Sequence, residues 1–149
     1  MSGLTVAGMT PEMRSHWEPL WQAYLAFYKT SVPNDVTDVT WQRLHDPDEP
    51  MFALGAFDGP KLVAFTHYVF HRSTWTVAPY CYLQDLFTVE EARGRGAARL
   101  LIEEVYRRAA DAGAARVYWL THETNMRARA LYDQVAENAG FIQYRKALG

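Results

Sequence analysis

The sequence predicts a single domain of the mixed α/β (α+β) class. Three observations carry this prediction: an early helix with one aromatic face, two strands joined by a tight turn, and a strand–helix–strand–helix–strand order in the second half. The chain has 149 residues, of which 49% are hydrophobic, so one domain spanning residues 1–149 with a substantial core is expected.

The first half of the chain contains two predicted helices and three predicted strands. In order these are a strand at 4–9, a helix from Pro11 to Tyr28, a helix at 35–45, and strands at 51–57 and 61–70. Thr10 followed by Pro11 is typical of a helix start. The helix has large apolar residues at spacings of three and four: Trp17, Leu20, Trp21, Tyr24, Phe27 and Tyr28. Asp58-Gly59 joins the two later strands and is a hairpin signal.

The second half alternates strands and helices. Its predicted elements are a strand at 80–89, a helix from the RGRG sequence to about residue 112, a strand at 115–121, a helix at 125–139 and a last strand at 140–148. The first of these helices has Leu101, Ile102 and Val105 on one face, and Glu104–Arg108 as an i,i+4 pair on the other. The strands on either side of it should run parallel, because a helix crosses between them.

Composition and charge exclude several classes of protein. The formal net charge of −2 argues against nucleic acid as a partner. We expect no membrane association, because no apolar run reaches about 18 residues. The first residues lack a secretory signal pattern, and the lone Cys81 excludes an internal disulfide or a multi-cysteine metal site. A cytoplasmic protein is therefore expected.

The RGRG loop at the start of a helix has the features of an anion site. Gly94 and Gly96 leave the backbone uncovered, and a helix N-terminus offers unpaired N–H groups and a positive dipole end. The sequence fits neither the P-loop pattern nor the Rossmann GxGxxG pattern. It fits R-G-x-G-x-A after a strand; the alternative is a tight turn that binds nothing.

Two segments resemble the Gcn5-related N-acetyltransferase (GNAT) superfamily. YLQDLFTVEEARGRGAARLLIEEV is similar to its motif A, and WLTHETNMRARALYDQVAENAGF to the region that follows, including motif B. The branch that resembles this chain most contains polyamine acetyltransferases and fungal histone or D-amino-acid acetyltransferases. The resemblance implies a GNAT-type domain: a central mixed, mostly antiparallel sheet with helices on both faces. It also allows a homodimer, since many relatives form one.

The resemblance implies acetyl-CoA as the cosubstrate, with no metal. The loop would hold its pyrophosphate and the preceding strand its pantetheine arm. The implied cofactor-binding residues are Leu86, Phe87, Thr88, Arg93, Gly94, Arg95, Gly96, Ala97, Ala98, Arg99, Asn125 and Ala128.

The same resemblance implies that Tyr132 protonates the departing CoA sulfur; from the helix pattern alone it is a core aromatic residue. The general base stays open. Gln84 stands where the polyamine branch has a glutamate, and an amide cannot accept the proton. Asp85 is the adjacent carboxylate, although strand alternation sends it to the opposite face from Gln84. His122, Glu123 and water are the other options.

The acceptor site implied by the resemblance lies between the early helices and the central strands. Tyr24, Tyr28 and Gln84 are expected to bind the substrate, and Phe27 and Trp41 are further candidate walls. His67 and His71 cannot share one metal ion, because four strand residues span about 13 Å. Cys81 is expected to be buried filler.

Three functions follow as hypotheses. The first is acetyl transfer to a primary amine of a small molecule such as a polyamine or an amino acid. The second is acetylation of a lysine in a protein or peptide, which an open acidic groove would favour. The third is a non-catalytic acyl-CoA-binding module.

Overall fold

The computed structural model describes residues 3–149 and contains the predicted alternation of strands and helices. In chain order the elements are β1 (Thr5–Gly8), α1 (Arg14–Phe27), α2 (Asn34–Arg43), β2 (Met51–Asp58), β3 (Lys61–His71), β4 (Tyr80–Thr88), α3 (Ala97–Asp111), β5 (Arg116–Tyr118) and α4 (Met126–Val135). The chain divides into a first unit that ends at Trp119 and a second unit, Leu120–Gly149. Among the described residues, no helix is both long and apolar enough to span a membrane.

The strands of the first unit form one five-stranded sheet in the order β1-β2-β3-β4-β5. The pairs β1–β2, β2–β3 and β3–β4 are antiparallel, and β4–β5 is parallel. The predicted mixed, mostly antiparallel sheet is therefore confirmed. The parallel pair is the one across α3, as a helical crossover between two strands requires.

Helices pack on both faces of this sheet, and alternate residues of β3 face them. Phe65 and His67 contact aromatic rings of α1, whereas Tyr68 interacts with Arg108 of α3. On the α1 face the core contains Trp17, Leu20, Trp21, Leu25, Trp41, Leu44, Leu62 and Phe65. On α3 the buried residues are Ala97, Leu101, Ile102, Val105 and Ala109. Full burial of one large apolar side chain stabilises a fold by about 1.5–3 kcal/mol, so both faces contribute substantially.

The second unit departs from the sequence prediction. Its helix α4 ends at Val135, four residues earlier than predicted, and no strand is assigned between residues 137 and 149. The predicted last strand at 140–148 is therefore wrong. Phe141 and Tyr144 in this segment are each 89% exposed. The strand residue types of this segment favour an extended backbone, but a strand also needs a neighbouring edge that accepts and donates its hydrogen bonds.

Candidate active site

The loop before α3 has the backbone geometry of an anion cradle. Gly94 and Gly96 have φ angles of +85° and +83°, a left-handed conformation that side chains other than glycine rarely adopt. A Cβ atom at either position would meet no atom within 4 Å, so the space in front of the backbone is open. The first hydrogen bond of α3 joins the Leu100 amide to the Gly96 carbonyl at 3.0 Å. The amides of residues 97–99 precede it, at the positive end of the helix dipole.

The two arginines of this loop are tied to the first unit by their side chains. The Arg95 guanidinium donates to Asp58 Oδ2 at 2.8 Å, which connects the loop to the β2–β3 hairpin. Arg93 Nε lies 3.4 Å from the Thr88 carbonyl, and its guanidinium lies 5.9 Å from the centre of the Phe27 ring. The two guanidinium groups therefore attach the loop to neighbouring elements, and the backbone at Gly94 and Gly96 faces open space.

The end of β4 leads directly into this loop. Residues Leu86, Phe87 and Thr88 pair with β3 on one side. On the other side, pairing with β5 covers only Tyr80–Tyr82, and β4 continues for six residues beyond it. Among the described strands, this half of β4 thus has β3 as a neighbour on one edge and no strand paired to its other edge.

A β-bulge in the middle of β4 determines where Asp85 points. Asp85 pairs with His67 and Leu83 pairs with Tyr68, so Gln84 is an extra residue without a counterpart in β3. A bulge breaks the regular alternation of side chains. The expectation that Asp85 lies opposite Gln84 rested on that alternation. In the structure Asp85 faces α1, beside Tyr24, and Gln84 is exposed.

The carboxylate of Asp85 is held by two donors. The Tyr24 hydroxyl donates to Oδ1 at 2.8 Å, and Nδ1 of His67 lies 2.9 Å from Oδ2. The Asp85 side chain is 16% exposed. Each carboxylate oxygen has two lone pairs, so each can accept one further hydrogen bond. The carboxylate is therefore fixed in orientation and can still accept hydrogen bonds from a bound ligand.

Three tyrosines surround this carboxylate. Burial, and then the charge of Asp85, raise the pKa of Tyr24 far above its ordinary value. The same two causes raise the pKa of Tyr28 and of Tyr82. Their hydroxyls stay protonated at neutral pH and cannot act as bases.

His67 is the member of the site that the sequence did not identify. Its side chain is 4% exposed, and its Nε2 lies 3.0 Å from Nε1 of Trp17, which is fully buried. Only the pairing register of β3 with β4 places it beside Asp85, and register is not a local property of the sequence.

Other candidate residues have structural roles. Trp41 was expected to line the acceptor site, but it lies in the core. Its ring centre is 4.6 Å from that of Trp17, and its indole N–H donates to the Pro11 carbonyl. Its helix turns this face inward. Cys81 is fully buried, and burial raises the pKa of its thiol to about 11, as expected for filler. His71 is exposed and bonds Tyr118 at 2.7 Å. Phe27 and Tyr28 are 55% and 40% exposed at the end of α1.

In the second unit, Asn125 caps α4. Its Oδ1 accepts the Ala128 amide at 3.4 Å, so these two residues have a structural role whatever else they bind. Tyr132 is partly buried on the same helix. Its assignment as an acid rests on the motif that contains it.

Comparison with known proteins identifies the family of this chain. Residues 16–136 match the acetyltransferase (GNAT) family. A D-amino-acid N-acetyltransferase of Saccharomyces cerevisiae is 36% identical over 145 residues, which cover 96% of this chain and 90% of that protein. A thialysine N-epsilon-acetyltransferase of Caenorhabditis elegans is 34% identical over 80 residues, which cover 54% of this chain and 49% of that protein.

Solved structures share the fold. AAC(6')-Iy, in complex with the bisubstrate analogue CoA-S-monomethyl-acetylneamine, matches with a TM-score of 0.82 at 19% identity, over 97% of this chain and 99% of that one. At this identity the likeness shows the fold alone. The family match spans most of the chain, and the yeast relative is similar over nearly all of it. The chain therefore belongs to the GNAT family of acetyltransferases.

Proposed function

We propose that this enzyme transfers the acetyl group of acetyl-CoA to a primary amine of a small molecule such as an amino acid or a polyamine. The observation that carries the proposal is the position of the Asp85 carboxylate. This side chain lies on β4, is hydrogen-bonded to Tyr24 and His67, and has aromatic side chains around it. The names of the relatives support the substrate class, since D-amino acids and thialysine are small amines.

The residues at the end of β4 and in the glycine loop fit acetyl-CoA. The amides of residues 94–99 would bind its pyrophosphate, because an exposed backbone at a helix N-terminus favours an anion. The edge of Leu86–Thr88 that faces away from β3 would bind the pantetheine arm through backbone hydrogen bonds. When bound, acetyl-CoA supplies an activated thioester.

Asp85 has two roles in the proposed reaction. Its negative charge attracts the protonated amine, and its free lone pairs accept the proton that the amine must lose before attack. The new carbon–nitrogen bond forms as the carbon–sulfur bond breaks. Tyr132 donates its hydroxyl proton to the departing sulfur, and the second proton that the nitrogen releases as the amide forms restores this hydroxyl through solvent. Tyr24 remains protonated and orients Asp85, since its raised pKa excludes it as a base.

A panel of amines tests this function directly. Release of CoA from acetyl-CoA is followed with D- and L-amino acids, thialysine, a polyamine and a lysine-containing peptide. We expect at least one small amine to give faster release than the peptide. Turnover with the peptide alone would establish the peptide lysine acetyltransferase. Binding of acetyl-CoA without release by any amine would establish the non-catalytic module instead.

The glycine loop gives a separate prediction on the cosubstrate. Valine at Gly94 and Gly96 adds side chains over the backbone and disfavours the left-handed φ angles that both positions adopt. Calorimetry should then show acetyl-CoA affinity lowered at least about tenfold, the loss of roughly one hydrogen bond to a charged group. The matched control is Gly113→Val, because Gly113 also has a positive φ but lies after α3. Unchanged affinity in a folded Gly94→Val/Gly96→Val variant would exclude this loop as the site.

A further inference from the structure

We infer that His67 is a positioning residue that aims the Asp85 carboxylate at the acceptor amine, and that Trp17 fixes His67 in the one tautomer able to do so. This inference deepens the proposed function and rests on it. It starts from a continuous line of hydrogen bonds, from Trp17 to His67, from His67 to Asp85, and from Tyr24 to Asp85.

The indole of Trp17 determines the tautomer. An indole N–H can only donate a hydrogen bond, so His67 Nε2, 3.0 Å away, must accept it and carries no proton. The ring proton therefore resides on Nδ1, which points at Asp85 Oδ2. With the other tautomer, two N–H groups would face each other at Nε2, and a bare nitrogen would face the carboxylate at Nδ1.

The surrounding rings prevent the imidazole from turning away. His67 lies 5.4 Å from Trp21 and 4.8 Å from Phe65, measured between ring centres, and only 3% of the residue is exposed. Trp17 is fully buried against Trp41. Rotation of the imidazole would break both hydrogen bonds and leave buried polar groups without partners, which is costly.

The two ends of this line belong to the same helix. Trp17 and Tyr24 are seven residues apart, two turns of α1, and both face the sheet. One helix thus fixes Oδ1 directly through Tyr24 and Oδ2 indirectly through Trp17 and His67. A carboxylate held at both oxygens presents its remaining lone pairs in a constant direction, as a base that acts on a bound amine requires.

The inference is tested first on the unmodified protein. Nitrogen-15 NMR of the labelled histidines distinguishes a protonated from an unprotonated ring nitrogen, and His67→Leu identifies the His67 signals. We expect a protonated Nδ1 and an unprotonated Nε2. In Trp17→Phe, which keeps an aromatic ring but removes the donor, Nε2 loses its hydrogen-bond partner, so its nitrogen-15 signal should shift. An unchanged Nε2 signal would overturn the role of Trp17. An Nε2-protonated or doubly protonated ring in the unmodified protein would overturn the inference.

Kinetics then separate positioning from folding. His67→Leu should lower kcat about 10- to 100-fold, by analogy with the loss of a partner that orients a metal ligand, with the KM for acetyl-CoA unchanged. His67→Asn should restore much of kcat, because its amide can donate from near the Nδ1 position. His71→Leu, on the same strand outside the network, should retain full kcat. Equal rates in His67→Leu and the unmodified protein would overturn the positioning role. No amine-dependent turnover by the unmodified protein would overturn the proposed function, and this role with it.

Discussion

Replacement of Asp85 by asparagine is expected to lower kcat by about 10² to 10⁴, the range for loss of a general base. The amide keeps the size of the side chain and can still accept from Tyr24, but it has no negative charge and takes no proton. The KM for the amine should also rise, because a cationic acceptor loses its counter-charge. Initial rates over a range of amine concentrations measure both effects.

The control for this variant is Asp111→Asn, at the exposed end of α3, which makes the same chemical change away from the site. It should leave kcat and KM unchanged. If Asp85→Asn is folded and keeps full activity, the amine loses its proton to water or to another group, and Asp85 only positions its neighbours.

Replacement of Tyr132 by phenylalanine is expected to lower kcat by about 10² to 10⁴ through loss of the general acid. A thiolate departs less readily without a proton donor, and phenylalanine keeps the ring and its packing while removing the hydroxyl. Acetyl-CoA affinity should change little. Steady-state kinetics and a separate calorimetric titration measure the two quantities.

Tyr144→Phe is the matched control, because Tyr144 lies in the same unit and is 89% exposed. It should behave like the unmodified protein. Full kcat in Tyr132→Phe would return Tyr132 to a packing role, and a large loss of acetyl-CoA affinity would make its hydroxyl a binding contact.

The sequence predicted the parts of the site that depend on local signals. Asp58-Gly59 marks the hairpin, and the RGRG sequence marks the loop, because glycine is needed where φ is positive. The crossover helix α3 required its flanking strands to be parallel, as they are. Such features are determined by neighbours along the chain.

The parts that the sequence did not predict depend on distant pairings. The bulge at Gln84 moves Asp85 to the α1 face, and it exists only because β3 and β4 pair in a particular register. The same register brings His67 to Asp85, 18 residues away along the chain. The prediction that Trp41 lines the acceptor site was wrong for a related reason. Helical periodicity indicates an apolar face but not which element packs against it.

The prediction of a last strand was wrong because residue types indicate a preference for extended backbone but do not show whether a sheet edge is present to pair with it. Residues 140–148 have strand-like composition, yet the structure assigns them no partner strand within the part of the chain that it describes. Strand propensity depends strongly on such context.

The measurement that tests the account most directly follows the acetyl group itself. Acetyl-CoA labelled with carbon-13 in the acetyl group is incubated with the enzyme and the amine that is most active in the panel, and products are identified by mass spectrometry. The account predicts labelled N-acetyl amine in an amount equal to the CoA released, with both lost in Asp85→Asn. Label that remains in acetyl-CoA despite tight binding, or that appears only as free acetate, would contradict it.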